Sequence, residues 1–130
     1  MTINNRVFGL VLVLTLTGIS VSVGAADKVV HKDRWLSDMR NLLPSMFCID
    51  GSYFRECFET SDSVCHSTAT AAAESCLRQF EPQIPEQLHQ PDDGGLWGRK
   101  IGTCAGTVFE VTLKKSRVNN AKCNNPALWK

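Results

Sequence analysis

What this chain lacks narrows its chemistry first. It has no Cys-x-x-Cys pair and no His-x-x-x-His pair, so no zinc-ligand spacing is present. It also has no Gly-x-Ser-x-Gly, no phosphate-cradling glycine loop and no calcium-loop spacing, the short motifs of hydrolases, nucleotide binders and calcium sensors. Excess charge of one sign is missing as well. Lysine and arginine number 14 against 13 acidic residues, a net charge of +1, so bulk charge does not steer the protein toward nucleic acid or an anionic membrane. There are no internal repeats and no low-complexity stretches. No cofactor, no metal and no enzymatic activity are expected from such a sequence.

What is present begins with an export segment. Met1 to Arg6 is polar with one positive charge, Val7 to Val23 is apolar apart from Thr, Gly and Ser, and Val23-Gly24-Ala25-Ala26 ends in small residues before Asp27. Charged start, apolar middle and small-residue cleavage site are the order of a secretory signal peptide. The unbroken apolar run is shorter than the roughly 20 residues a membrane span needs. Residues 1–26 are therefore expected to be cleaved, leaving 27–130 as one domain with no integral span. The expected location is periplasmic or secreted, and the style of the leader points to a bacterium.

All six cysteines, Cys48, Cys57, Cys65, Cys76, Cys104 and Cys123, follow that segment. An even number in a small exported domain reads as three disulfides. Such bridges compensate for a modest core.

From Trp35 onward, Trp35, Leu36, Met39, Leu42, Leu43, Met46 and Phe47 follow a helical stripe rather than an alternating strand. Pro44 interrupts it, so the pattern predicts one helix over 28–43 and a second from Pro44 to Phe58, weakened by Gly51. Thr60, Ser61 and Asp62 can cap a third helix over 62–80, with Cys65, Ala69, Ala72, Ala73 and Cys76 on one face. Two antiparallel helices joined near Thr60–Asp62 would form an α-hairpin cross-linked by two disulfides, Cys48–Cys76 and Cys57–Cys65, with Cys104–Cys123 as the third bridge. The angular weakness is that nine residues turn an ideal helix through about half a circle, so Cys48 and Cys57 share a face only if Gly51 bends the chain.

Glu81 to Gly98 holds Pro82, Pro85 and Pro91, then Asp92-Asp93-Gly94-Gly95, which reads as a long exposed connection. Residues 100–116 carry both a helical face and the alternating, β-branched run of a strand; with no second strand to pair with, a helix is expected. The tail is turn-rich, with Cys123 tying it down and Leu128 and Trp129 on the surface. The fold class is thus mainly α, a small disulfide-stapled bundle of about four helices.

Function is expected to be non-enzymatic binding, most plainly of another protein: an immunity or inhibitor protein, or an accessory factor for the envelope or for secretion. The recognition surface expected from sequence is the 82–98 connection, with Trp97 as anchor beside His89, Asp92 and Asp93. Asp92-Asp93 before two glycines is otherwise a turn, and Trp35 is a core residue. Lys114-Lys115-Ser116-Arg117 with Lys122, and Glu56, Glu59 and Asp62, form small basic and acidic patches of the kind that face solvent. Two alternatives come from other classes. One is a secreted effector or small hydrolase built on His66, with Asp62 one turn away and Ser61, Ser63 and Ser67 nearby. The other is a lipid-interacting helical domain. His31, in a polar helix start, is expected to face solvent.

Overall fold

The computed structural model describes residues 28–129; the cleaved leader expected at 1–26 lies outside them. The order is β1 (Lys28–His31), α1 (Lys32–Cys48), α2 (Tyr53–Glu56), α3 (Asp62–Phe80), β2 (Gln87–Gln90) and α4 (Asp92–Thr112), with short 3-10 turns at Glu81–Gln83, Lys114–Ser116 and Pro126–Leu128. The domain is mainly α, as composition and periodicity indicate. β1 and β2 form one antiparallel ribbon in the register Lys28↔Gln90 to His31↔Gln87, so residues 28–31 open in a strand rather than in the first helix. At the end of the ribbon the Glu86 carboxylate pairs with Lys32 and holds its ammonium above its ordinary value of 10.5.

α1 buries Trp35, Leu36, Met39, Leu43 and Phe47 along one side, as the stripe requires. It runs through Pro44, where a break was expected. The ring removes one N–H from the helix ladder, but Pro44 itself is buried with the core stripe, and that burial offsets the lost bond. The helix stops at Cys48 instead. Gly51, at φ +83°, turns the chain in the left-handed region that favours glycine. The Ser52 hydroxyl donates to Phe47 O at 2.5 Å and accepts from Arg55 N at 3.2 Å, opening the single turn of α2. The predicted second helix over 44–58 is therefore the end of α1, a turn, and α2.

α3 matches its predicted span. Ser61 caps it by accepting from Val64 N at 3.2 Å. Ala69, Ala72 and Ala73 are at most 1% exposed, and their small side chains let α1 and α4 approach closely.

The bridges are Cys48–Cys65, Cys57–Cys123 and Cys76–Cys104. All six cysteines are paired as expected, but none of the three expected pairings, Cys48–Cys76, Cys57–Cys65 or Cys104–Cys123, is present. The reason is where α1 ends. In an antiparallel hairpin its last residue lies beside the first turn of α3, so Cys48 meets Cys65; Cys76 is eleven residues further, about 16 Å along the axis. One bridge, not two, spans the α1–α3 hairpin. Cys57 lies beyond α2, where Phe58 bridges antiparallel to Arg117 and Val118 N donates to Cys57 O at 2.9 Å. That pairing draws the tail across and delivers Cys123.

The connection expected over 81–98 is ordered and largely built into the fold. Ile84 and Leu88 are 3% and 0% exposed, and α4 begins at Asp92. Its buried stripe is Trp97, Ile101, Ala105 and Phe109, spaced four apart, so the period of residues 100–116 extends back through the glycines. Asp92 and Asp93 in the first turn suit the positive end of the helix dipole. A β-carbon on Gly94 would meet only the movable end of the Gln90 side chain, and the glycines that look like breakers lie inside the helix.

Candidate functional site

A polar–aromatic cleft lies where the tail crosses α2 and the end of α4. It measures about 400 Å³ and is lined by Tyr53, Phe54, Glu110, Arg117, Asn124 and Trp129, with Pro126 and Cys123 behind them. Its floor is a ring cluster. Phe54 stacks on Phe47 at 4.1 Å, and Phe109 meets Phe54 and Phe58 edge to face at 4.9 and 5.5 Å. Tyr53 contacts Phe54, Phe58 and Trp129 edge to face at 5.1, 5.9 and 5.5 Å, a geometry that places positive ring edges against negative faces. Gly106 makes room for this floor, since a β-carbon there would sit 3.1 Å from Phe54 Cζ.

The polar side chains of the cleft are paired with one another. Arg117 Nη1 donates to the Tyr53 hydroxyl at 2.6 Å and Nη2 to Cys123 O at 3.1 Å. Partial burial, and after it the bond to Glu110, holds the Tyr53 hydroxyl above its ordinary value of 10.0, while Arg117 pulls the other way. Lys122 pairs with Glu56 and lies over the Trp129 ring at 4.3 Å, and Trp129 Nε1 donates to Lys122 O at 3.0 Å. The basic run and part of the acidic patch thus meet: Lys122 binds Glu56, and Glu59 N donates to Ser116 O at 2.8 Å.

A second groove of about 320 Å³ shares Tyr53, Phe54 and Trp129 with the cleft and continues to Met46 and Gly51. Beside it, Leu42, Met46 and Ile49 of α1 and the following turn are 48%, 57% and 63% exposed. An apolar strip therefore runs from α1 into the cleft.

The residues singled out in the sequence are elsewhere. Trp97 is not in an exposed loop: it is 8% exposed within α4, tilted against Phe80 at 6.4 Å with Lys100 Nζ 4.5 Å above it. Asp93 Oδ2 accepts from the His89 backbone N–H at 2.7 Å. Asp92 and His89 are exposed beside it, and His31 is exposed in β1. His66 Nε2 stands 3.7 Å from Asp62 Oδ1 on the exposed side of α3. The Ser61 hydroxyl serves as helix cap and that of Ser67 donates to Val64 O. Sequence reasoning placed Trp129 on the surface but did not assemble it with Tyr53, Glu110 and Arg117. Among the described residues no group of His, Cys, Asp and Glu could hold a metal, and no helix is long and apolar enough to cross a membrane.

No curated protein and no solved structure matches the chain. Residues 29–117, well over half of it, match the family model described as T2SS substrate NttA. That span runs from β1 to Arg117; Cys123 and Trp129 lie beyond it. The chain belongs to the NttA family of T2SS substrates and is a secreted protein.

Proposed function

We propose that this is a non-enzymatic binding protein that acts outside the producing cell and recognises another protein through the cleft around Tyr53, Arg117 and Trp129. The route that fits a T2SS substrate passes through the periplasm, where the three bridges would form before exit. An extracellular end point favours a binding or inhibitory role toward an outside partner over an envelope accessory factor.

The observation that carries the reading is the continuity of the apolar strip with the cleft. Exposed Met46 and Ile49, half-buried Tyr53 and Trp129, and the Arg117 guanidinium lie on one surface. Tyrosine, tryptophan and arginine are the residues that carry most energy at protein contacts, and contiguous exposed apolar area marks such surfaces. The tightened proton of Tyr53 argues against this phenol as a base or nucleophile. A phenol acting as base or nucleophile needs its proton loosened, whereas burial and Glu110 tighten it.

The test is a photo-cross-linking side chain placed at Asn124, on the cleft, and separately at Thr70, exposed on α3. The secreted protein is incubated with whole target cells. A protein adduct is expected from position 124 alone, falling about tenfold with Trp129→Ala or Arg117→Ala, the scale of losing one anchor. Equal labelling from both positions, or labelling indifferent to Trp129, overturns the proposal.

A further inference from the structure

The two outer edges of the β1–β2 ribbon are finished differently. Lys32 N donates to Glu86 O at 3.0 Å, one step beyond the pair His31↔Gln87. In an antiparallel ladder, hydrogen-bonded pairs alternate with non-bonded ones. Lys28 and Val30 therefore turn their backbone groups toward β2, and Val29 and His31 turn theirs away. The same alternation on β2 turns the His89 N–H outward, and there it is met by Asp93 Oδ2 at 2.7 Å. The carboxylate at the start of α4 thus covers the His89 end of the outer edge of β2, while the outward Gln87 N–H and C=O have no backbone partner among the described residues. On β1 the His31 carbonyl is taken by the first turn of α1, which it caps. The Val29 N–H, the Val29 C=O and the His31 N–H have no partner among the described residues.

A groove of about 290 Å³ beside the strand is lined by all four residues of β1 together with Arg34 and Asp38 of α1. Its fixed charges are Lys28 and Arg34 against Asp38, and the Asp38 carboxylate is already held by Arg34 Nε at 3.1 and 3.2 Å. Among the described residues the lining therefore carries one net positive charge, that of Lys28. Val29, 44% exposed, offers the apolar spot on the outer face of the ribbon. A second copy of this chain would bring Lys28, His31 and Arg34 against the same cations and fits poorly.

We infer that β1 is a docking edge for an extended acidic segment of a partner protein, which adds antiparallel to β1 as a third strand. Unpaired edge groups supply the main-chain bonds in such additions, and flanking side chains supply selectivity. The partner residue opposite Val29 exchanges both backbone bonds with it, and the carbonyl two residues earlier accepts from His31 N. Side chains alternate faces. The residue opposite Val29 is therefore apolar, the one two before it is acidic and faces His31 and Arg34, and the next one is acidic and faces Lys28. The order read by the edge is acidic, any, apolar, acidic.

The probe is a labelled peptide, acetyl-Gly-Glu-Thr-Val-Glu-Gly-amide, titrated into the secreted protein at low salt. Saturable binding is expected, with slowed amide hydrogen exchange at Val29 and His31. Methylating the backbone nitrogen of the peptide valine removes one of the new bonds and weakens binding about tenfold, the worth of roughly 1.4 kcal/mol. Val29→Pro removes the outward N–H while sparing the bonds to β2, as proline does at an exposed strand edge, and gives a similar loss; Lys28→Glu weakens the acidic peptide and not its glutamine version. Binding that ignores both the N-methyl group and Val29→Pro, or no binding at all, overturns the inference. So does a concentration-dependent dimer abolished by Val29→Pro, which would make a second copy the occupant. The N-methyl arm keeps the test decisive if Val29→Pro fails to fold.

Discussion

The helical body and the aromatic end of this domain are held together by different means. In the body, α3 presents Ala69, Ala72 and Ala73 to its neighbours, and Cys48–Cys65 and Cys76–Cys104 join helix to helix. Along that alanine face close backbone approach does the packing, and Trp35, Leu36, Leu77, Trp97 and Ile101 fill the space around it. At the other end, Phe47, Phe54, Phe58 and Phe109 fill the interior, the covering chain is mostly non-helical, and Cys57–Cys123 fastens it. One part is specified by repeated local geometry, the other by bulky rings and a link across 66 residues. The part that depends on long-range closure is also the part that carries the cleft.

That contrast can be broken by substitution. Phe109 is 0% exposed and touches three other rings, so Phe109→Ala is expected to cost about 3–5 kcal/mol in urea unfolding and to dissolve the floor of the cleft. Replacing both Cys57 and Cys123 by Ala is expected to cost about 4 kcal/mol by the chain-entropy relation, against about 3 for the Cys48 and Cys65 pair, whose loop is shorter. The first loss should leave the helical circular dichroism near that of the parent while near-ultraviolet aromatic signals collapse; equal effects of the two pairs on the aromatic signal would undo the distinction. In the body the opposite error is the costly one: Ala72→Leu overfills a contact at 0% exposure and should destabilise by about 1–3 kcal/mol.

The smallest effect is the most specific to the cleft. Tyr53→Phe removes the hydroxyl between Arg117 and Glu110, worth about 1 kcal/mol. It should also change the response to alkali. The folded phenol titrates above its ordinary 10.0, so the fold binds this proton more tightly than the unfolded chain. The resulting stability is complete below pH 10.0 and is lost as pH rises through the higher folded value. Tyr53 is the single tyrosine, so phenolate absorbance reads it alone: a midpoint at or below 10.0 contradicts the burial of the phenol and its bond to Glu110, and the phenylalanine variant should lose this alkaline step.

The body was legible because its clues are local. The capping residues Thr60, Ser61 and Asp62 and the alanine run placed α3 closely, and the helical face of residues 100–116 outweighed its β-branched run. The same period reaches back to Trp97, but Pro91, Gly94 and Gly95 read as breakers. What overrides them is the burial of Trp97 in one stripe with Ile101, Ala105 and Phe109 and the acidic first turn at Asp92–Asp93, a pair that reads equally well as a loop turn. The pairings failed for a related reason: they depend on α1 ending at Cys48, and Pro44 drew the expected boundary away from it. The cleft was not legible at all as a unit. Tyr53 and Arg117 are 64 residues apart, and the crossing of Phe58 with Arg117, with the Cys57–Cys123 bridge, brings them together.

That crossing and its covalent link hold the tail against α2 and create the cleft. Proteolysis of the secreted protein without reduction, followed by mass spectrometry of the linked fragments, examines it directly. A fragment pair joining Cys57 to Cys123 is the predicted result. Fragments joining Cys57 to Cys65, or Cys104 to Cys123, would leave the tail unfastened and contradict the account.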